Sequence, residues 1–143
     1  MKTTVKWVDG MMFLGETGSG HAVVMDGAPE AGGRNHGIRP MEMLLLGLGG
    51  CTSFDVVLIL KRGREPVNGC EVEITAERAE HDPKVFTRIH LAYRLSGKGL
   101  SAAKVERAIQ LSKEKYCSAS IMLGAMATIT SEYTVSEDRD LHP

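Results

Sequence analysis

The 143 residues carry a formal net charge of −1, with 24% charged and 5% aromatic side chains. That is enough chain for one domain with a sizeable core. No basic surplus points to nucleic acid or an anionic membrane, and aromatics are too few for a base-stacking platform. The three cysteines form no CxxC pair and the chain has no HExxH motif. A secretory disulfide framework is excluded, and neither a metal nor a cofactor is expected. No N-terminal apolar run of signal-peptide type is present, so the expected location is the cytoplasm.

The N-terminal segment reads as a β meander. Thr3 to Val8, Met11 to Leu14 and His21 to Met25 are short strand patterns, separated by Asp9-Gly10 and by the turn from Gly15 to Gly20. The loop from Asp26 to Ile38 holds four glycines and a proline and is expected to be mobile. Its Arg34 and His36 read as solvated charges.

The most distinctive stretch follows, RPMEMLLLGLGGCTSFDVVLILKRGR from Arg39 to Arg64. Pro40 suits a first helical position, Glu42 a first turn, and Lys61, Arg62 and Arg64 a helix C-terminus. A helix of this length could span a membrane. Glu42, Thr52, Ser53 and Asp55 interrupt the apolar run, however, and no membrane contact is expected. Apolar on nearly all sides, the helix belongs in a core or at a subunit interface. Gly47, Gly49 and Gly50 point to a close crossing by another backbone just before Cys51.

Cys70 to Glu80 and Val85 to Leu95 alternate as two strands joined by a turn at His81 to Lys84. Ser101 caps a helix running to about Tyr116. Ser118 to about Ala127 is helical, Thr128 to Val135 is a last strand, and Ser136 to Pro143 reads as a frayed tail. The chain is therefore α+β and a single domain over residues 1–143.

Of the three thiols, Cys70 reads as an inert, half-buried packing residue. Cys51 and Cys117 lie on helical segments beside hydroxyl residues: Thr52 and Ser53 next to one, Ser118 and Ser120 next to the other. Composition alone favours two packing cysteines, and no spacing shows that they meet. Asp55, one turn after Cys51, either opposes a thiolate or is a paired polar residue.

Two motifs taken together are more specific. Pro40, Glu42 and Leu44 lead to Cys51 eleven residues after the proline, and Cys117-Ser118-Ala119-Ser120 opens a helix that follows another helix. In these features the chain resembles the OsmC/Ohr family, named for osmotically inducible protein and organic hydroperoxide resistance. The segments VKWVDGMMFLGETGSGH, PMEMLLLGLGGC and EKYCS look especially like its YhfA branch. The resemblance implies an OsmC-like fold in an intertwined homodimer, with two long helices at the centre and sheets outside. It implies thiol peroxidase chemistry on organic hydroperoxides in oxidative stress defence. Cys51 would become a sulfenic acid and Cys117 would resolve it as a disulfide, with an external dithiol as reductant. The family activates its thiol with an arginine held by a glutamate immediately after the proline. Here Met41 follows Pro40 and Glu42 comes one residue later. No arginine precedes Arg34, and the N-terminal cations are Lys2, Lys6 and His21. Arg39 is a candidate cation that adjoins the helix start, not where the family places its arginine. The alternative implied by these departures is a non-catalytic dimer that binds an apolar small molecule on the same fold.

Overall fold

The computed structural model describes residues 1–138. They form two compact units, Met1–Leu46 and the chain from Gly47 onward. The first unit holds an antiparallel meander of β1 (Thr3–Asp9), β2 (Met12–Thr17) and β3 (Ala22–Met25). The predicted hairpin at Asp9-Gly10 is present. Gly10 takes a positive φ of 54°, its N–H donates to Asp9 Oδ1 at 2.8 Å, and the Trp7 indole donates to the Gly10 carbonyl. Only glycine adopts that φ without cost.

The loop predicted to be mobile is instead organised around one carboxylate. Asp26 is only 2% exposed and accepts from the backbone N–H groups of Gly27, Arg34 and His36. Burial raises its pKa, but the three N–H donors outweigh burial and hold the carboxyl below its usual value. Arg34 and His36 are exposed, and the Arg34 guanidinium pairs with Asp9 at 3.1 Å.

Helix α1 (Pro40–Arg62) begins in the first unit and continues through the second. Its start is half of a capping box: Glu42 Oε1 reaches back to accept from the Arg39 N–H at 2.7 Å. Lys61 and Arg62 occupy the last turn, as the helix dipole favours. The helix ends with Arg64 at a φ of 58°, and the Glu65 N–H donates back to the Leu60 carbonyl.

The second unit contains a sheet in the order β4 (Gly69–Arg78), β5 (Phe86–Ser96) and β6 (Thr128–Ser136). β4 and β5 form the predicted antiparallel hairpin. β6 lies parallel to β5, in register from Arg88 opposite Thr128 to Ser96 opposite Ser136. Parallel neighbours require a crossover. It is built from α2 (Ala102–Leu111), a π-helical turn (Ser112–Tyr116) and α3 (Ser118–Gly124).

β5 is the spine of this unit. Phe86, Ile89, Leu91, Tyr93 and Leu95 are all buried, while Arg88 and Arg94 on the other face are exposed. Against this face α1 lays a four-residue stripe, Leu48, Thr52, Val56 and Leu60, each at most 2% exposed. Spacing of four keeps them on one face. α2 adds Val105, Ala108 and Ile109.

Within the single chain α1 is buried along one stripe, and Leu46 at 62% and Phe54 at 70% stay exposed. Two expectations are corrected. The close crossing is by a side chain and at one glycine only. A Cβ on Gly49 would come within 2.8 Å of Ile74 Cδ1, whereas Gly47 and Gly50 face open space. The tail does not begin at Ser136, which is the last residue of β6 and accepts from the Gly97 N–H. Residues 139–143 of that predicted tail lie outside the described residues.

Candidate active site around Cys51 and Cys117

The Cys51 and Cys117 sulfurs lie within 4.8 Å of one another, and an Asp55 carboxylate oxygen lies within 4.8 Å of both. Cys51 and Asp55 sit one turn apart on α1, spaced by four and so on one helix face. Cys117 comes from the crossover. The π-helical turn ends with the Cys117 N–H donating to the Ser112 carbonyl at 2.8 Å, and Cys117 then caps α3. Its Sγ accepts from the Ser120 N–H at 3.3 Å. π-helical turns are rare and recur at functional positions. Here the turn swings Ser112 inward, where it is fully buried.

A line of hydroxyls fixes Asp55. Tyr93 Oη is 2.7 Å from Thr52 Oγ1, which is 2.9 Å from Ser112 Oγ, which donates to Asp55 Oδ2 at 3.0 Å. Each hydroxyl has one proton. Because Ser112 spends its proton on the carboxylate, Thr52 donates to Ser112 and Tyr93 donates to Thr52. All three side chains are almost completely buried, so the chain satisfies groups that would otherwise be costly.

The electrostatics differ between the thiols. Burial pushes the Cys117 thiol up, and the neighbouring Cys51 sulfur adds to that rise. The Ser120 contacts oppose it. Cys117 is therefore a protonated thiol at neutral pH, and it is 0% exposed, while Cys51 is half-buried. Burial also raises Tyr93, which keeps its proton available for Thr52. Cys70 is the third free thiol, half-buried on β4 beside Ser53, and burial raises it too.

The other two predicted site residues are brought to each other at the start of α1. Glu42 receives the Arg39 backbone N–H, while the Arg39 guanidinium donates to Asn35 Oδ1 and the Gly37 carbonyl. Both thus have a local structural task. Thr52, Tyr93 and Ser112 were not predicted as site residues. The sequence signal for Thr52 was a polar residue at a core-stripe position. No local pattern marks Tyr93 or Ser112.

The sequence profile of the family described as OsmC-like protein matches residues 32–132. The chain belongs to the OsmC-like protein family. Protein YhfA of Escherichia coli K12 is 47% identical over 138 residues, covering 94% of this chain and 98% of that one. The solved structure of a hypothetical protein from Aquifex aeolicus VF5 is 28% identical, with a TM-score of 0.79 over 95% of this chain and 97% of that one. An organic hydroperoxide resistance protein from Elizabethkingia anophelis has the same fold at 17% identity, with a TM-score of 0.64 over 95% and 94% of the two chains. The OsmC-like fold expected from the two cysteine motifs is therefore the fold of this chain.

Proposed function

We propose that this OsmC-like chain is a thiol peroxidase that reduces organic hydroperoxides in oxidative stress defence. The observation that carries the proposal is the meeting of Cys51 and Cys117, which stand 66 residues apart in sequence but within 4.8 Å at their sulfurs. The Cys51 thiolate attacks the terminal oxygen of R–O–O–H, the O–O bond breaks, and the products are Cys51–SOH and, after proton uptake, R–OH. Cys117 then attacks the sulfenic sulfur and expels water, giving the Cys51–Cys117 disulfide. An external dithiol restores both thiols and leaves as its own disulfide. A half-buried Cys51 and a fully buried Cys117 suit the attacking and resolving roles in that order. Arg39 and Glu42 enter as the activating cation and carboxylate, joined at the start of α1 by the Arg39 N–H that donates to Glu42 Oε1.

The working form is a cytoplasmic homodimer with the apolar face of α1 at its centre. Length and composition alone would let α1 cross a membrane. Its buried stripe against β5 is instead what a globular core supplies. A groove of about 460 Å³ runs along α1, lined by Gly50, Ser53, Phe54, Val57, Leu58 and Cys70 with Lys61 at its edge. This apolar groove favours the second function, a non-catalytic dimer holding an apolar small molecule.

Hydroperoxide consumption with a dithiol reductant separates the two. The wild type is expected to turn over an alkyl hydroperoxide, and Cys51→Ser to lose turnover entirely. Mass spectrometry of the wild type should show a loss of two hydrogens, localised to Cys51 and Cys117. Both thiols untouched in excess hydroperoxide would leave only the binding function.

A further inference from the structure

Cys51, Asp55 and Cys117 bring two sulfurs and a carboxylate oxygen within 4.8 Å of one another. Among the described residues no ion pair involves Asp55. Three donors gathered in this way suit a divalent cation, whose charge displaces the thiol protons on binding.

We propose that Cys51, Cys117 and Asp55 form a three-ligand site for a thiophilic divalent cation of the zinc class, filled when both thiols are reduced. The donor set is two sulfurs and one carboxylate oxygen, which zinc accepts. A tetrahedral zinc with bonds of about 2.3 Å to sulfur and about 2.0 Å to oxygen holds its donors about 3.5–3.8 Å apart. The present separations, none above 4.8 Å, lie at most about 1.3 Å outside those values.

The surrounding shell is already built. Asp55 Oδ2 is oriented by Ser112, which is held by Thr52 and Tyr93. Asp55 Oδ1 has no hydrogen bond among the described residues. Cys117 Sγ is oriented by the Ser120 N–H. Such outer contacts set ligand direction and tune affinity. Cys51 and Asp55 are only half-buried, so a cation has an entry side and the fourth position stays open to water or an anion. Binding is balanced by proton release: two thiols and M²⁺ give the dithiolate complex and two H⁺. Forming the disulfide withdraws both sulfur ligands and frees the cation. The expectation that the chain has no metal site came from spacing, which reveals the i, i+4 pair only once Cys117 is known to face it.

The site uses the thiols of the proposed reaction but does not depend on turnover. The test is therefore made without peroxide, on the full chain, metal-free and fully reduced. Titration with Co²⁺ is expected to give a thiolate-to-metal charge-transfer band that saturates at one ion per chain and is lost on adding Zn²⁺. Cys117→Ser should lose most of the band. Asp55→Asn should bind at least about tenfold more weakly. Cys70→Ser should match the wild type. In the unmutated protein Zn²⁺ should protect Cys51 from alkylation and leave the rate at Cys70 unchanged, a readout that needs no variant to fold. No band in the wild type, an undiminished band in Cys117→Ser, an unchanged affinity in Asp55→Asn, or protection of Cys70 alone would overturn the site. A band without hydroperoxide turnover would sink the peroxidase and leave the site. Turnover without a band would do the reverse.

Discussion

Thr52 shows how much one residue decides. It sits in the buried stripe of α1 between Leu48 and Val56, where an apolar side chain would pack as well. Its hydroxyl instead joins Tyr93 to Ser112, and through Ser112 to Asp55. Thr52→Val keeps the shape and removes the link, leaving a phenol donor and a serine acceptor buried without their partner. The expected cost is about 1–3 kcal/mol, read as a lower midpoint in urea unfolding. Tyr93→Phe removes only the end of the chain and should cost about 1 kcal/mol. Sequence reading saw Thr52 as a break in an apolar run and could go no further. Its partners lie 41 and 60 residues away, and hydroxyl pairing leaves no periodic trace. Cys51 and Cys117 were visible because their surrounding motifs are specific. Their proximity was not, since no spacing encodes a contact across 66 residues.

At the scale of elements, Glu65 joins the end of α1 to the start of α2. Its carboxylate takes the Lys104 ammonium at 2.8 Å and the Ser101 N–H at 3.0 Å, while Ser101 caps α2 through Lys104 N–H. The Lys104 contact, then the Ser101 N–H, hold the Glu65 carboxyl below its usual value. A lowered folded pKa stabilises the protein above the unfolded value of about 4.3 and loses that contribution as pH falls through the folded value. Glu65→Gln is therefore expected to melt lower than wild type at neutral pH. The gap should close in acid, measured by thermal unfolding across the range below about pH 4.3. The elements themselves were legible. Every predicted strand and helix is present, because alternation and capping signals act over a few residues. The π-helical turn was read as plain helix, since one residue of extra winding does not disturb an apolar face over so short a run. The parallel pairing of β6 was not predicted, because alternation says which face of a strand is buried and not which neighbour it takes.

For the whole molecule, the unburied face of α1 is the outstanding feature. Phe54 at 70% exposure and Leu46 at 62% are more than a lone soluble chain ordinarily leaves open on one helix. A homodimer closing over this face is expected to have a solution mass twice the 15.5 kDa of the chain, measured by light scattering. Phe54→Glu should halve that mass and leave the far-ultraviolet dichroism of each chain intact, since Phe54 takes no part in the stripe against β5. A wild type that runs at the single-chain mass would remove the dimer.

β5 is hydrogen-bonded on both sides, antiparallel to β4 and parallel to β6, and carries the buried Tyr93 at its middle. Its amides should therefore be the last in the chain to take up deuterium, behind those of β1 and of the crossover. Tyr93 anchors the hydroxyl line to the part of the molecule that opens least. Breathing that admits solvent to the buried Cys117 sulfur is then expected from the α3 side. Deuterium uptake at Cys117 to Ser120 well ahead of uptake at Leu91 to Leu95 would be its signature.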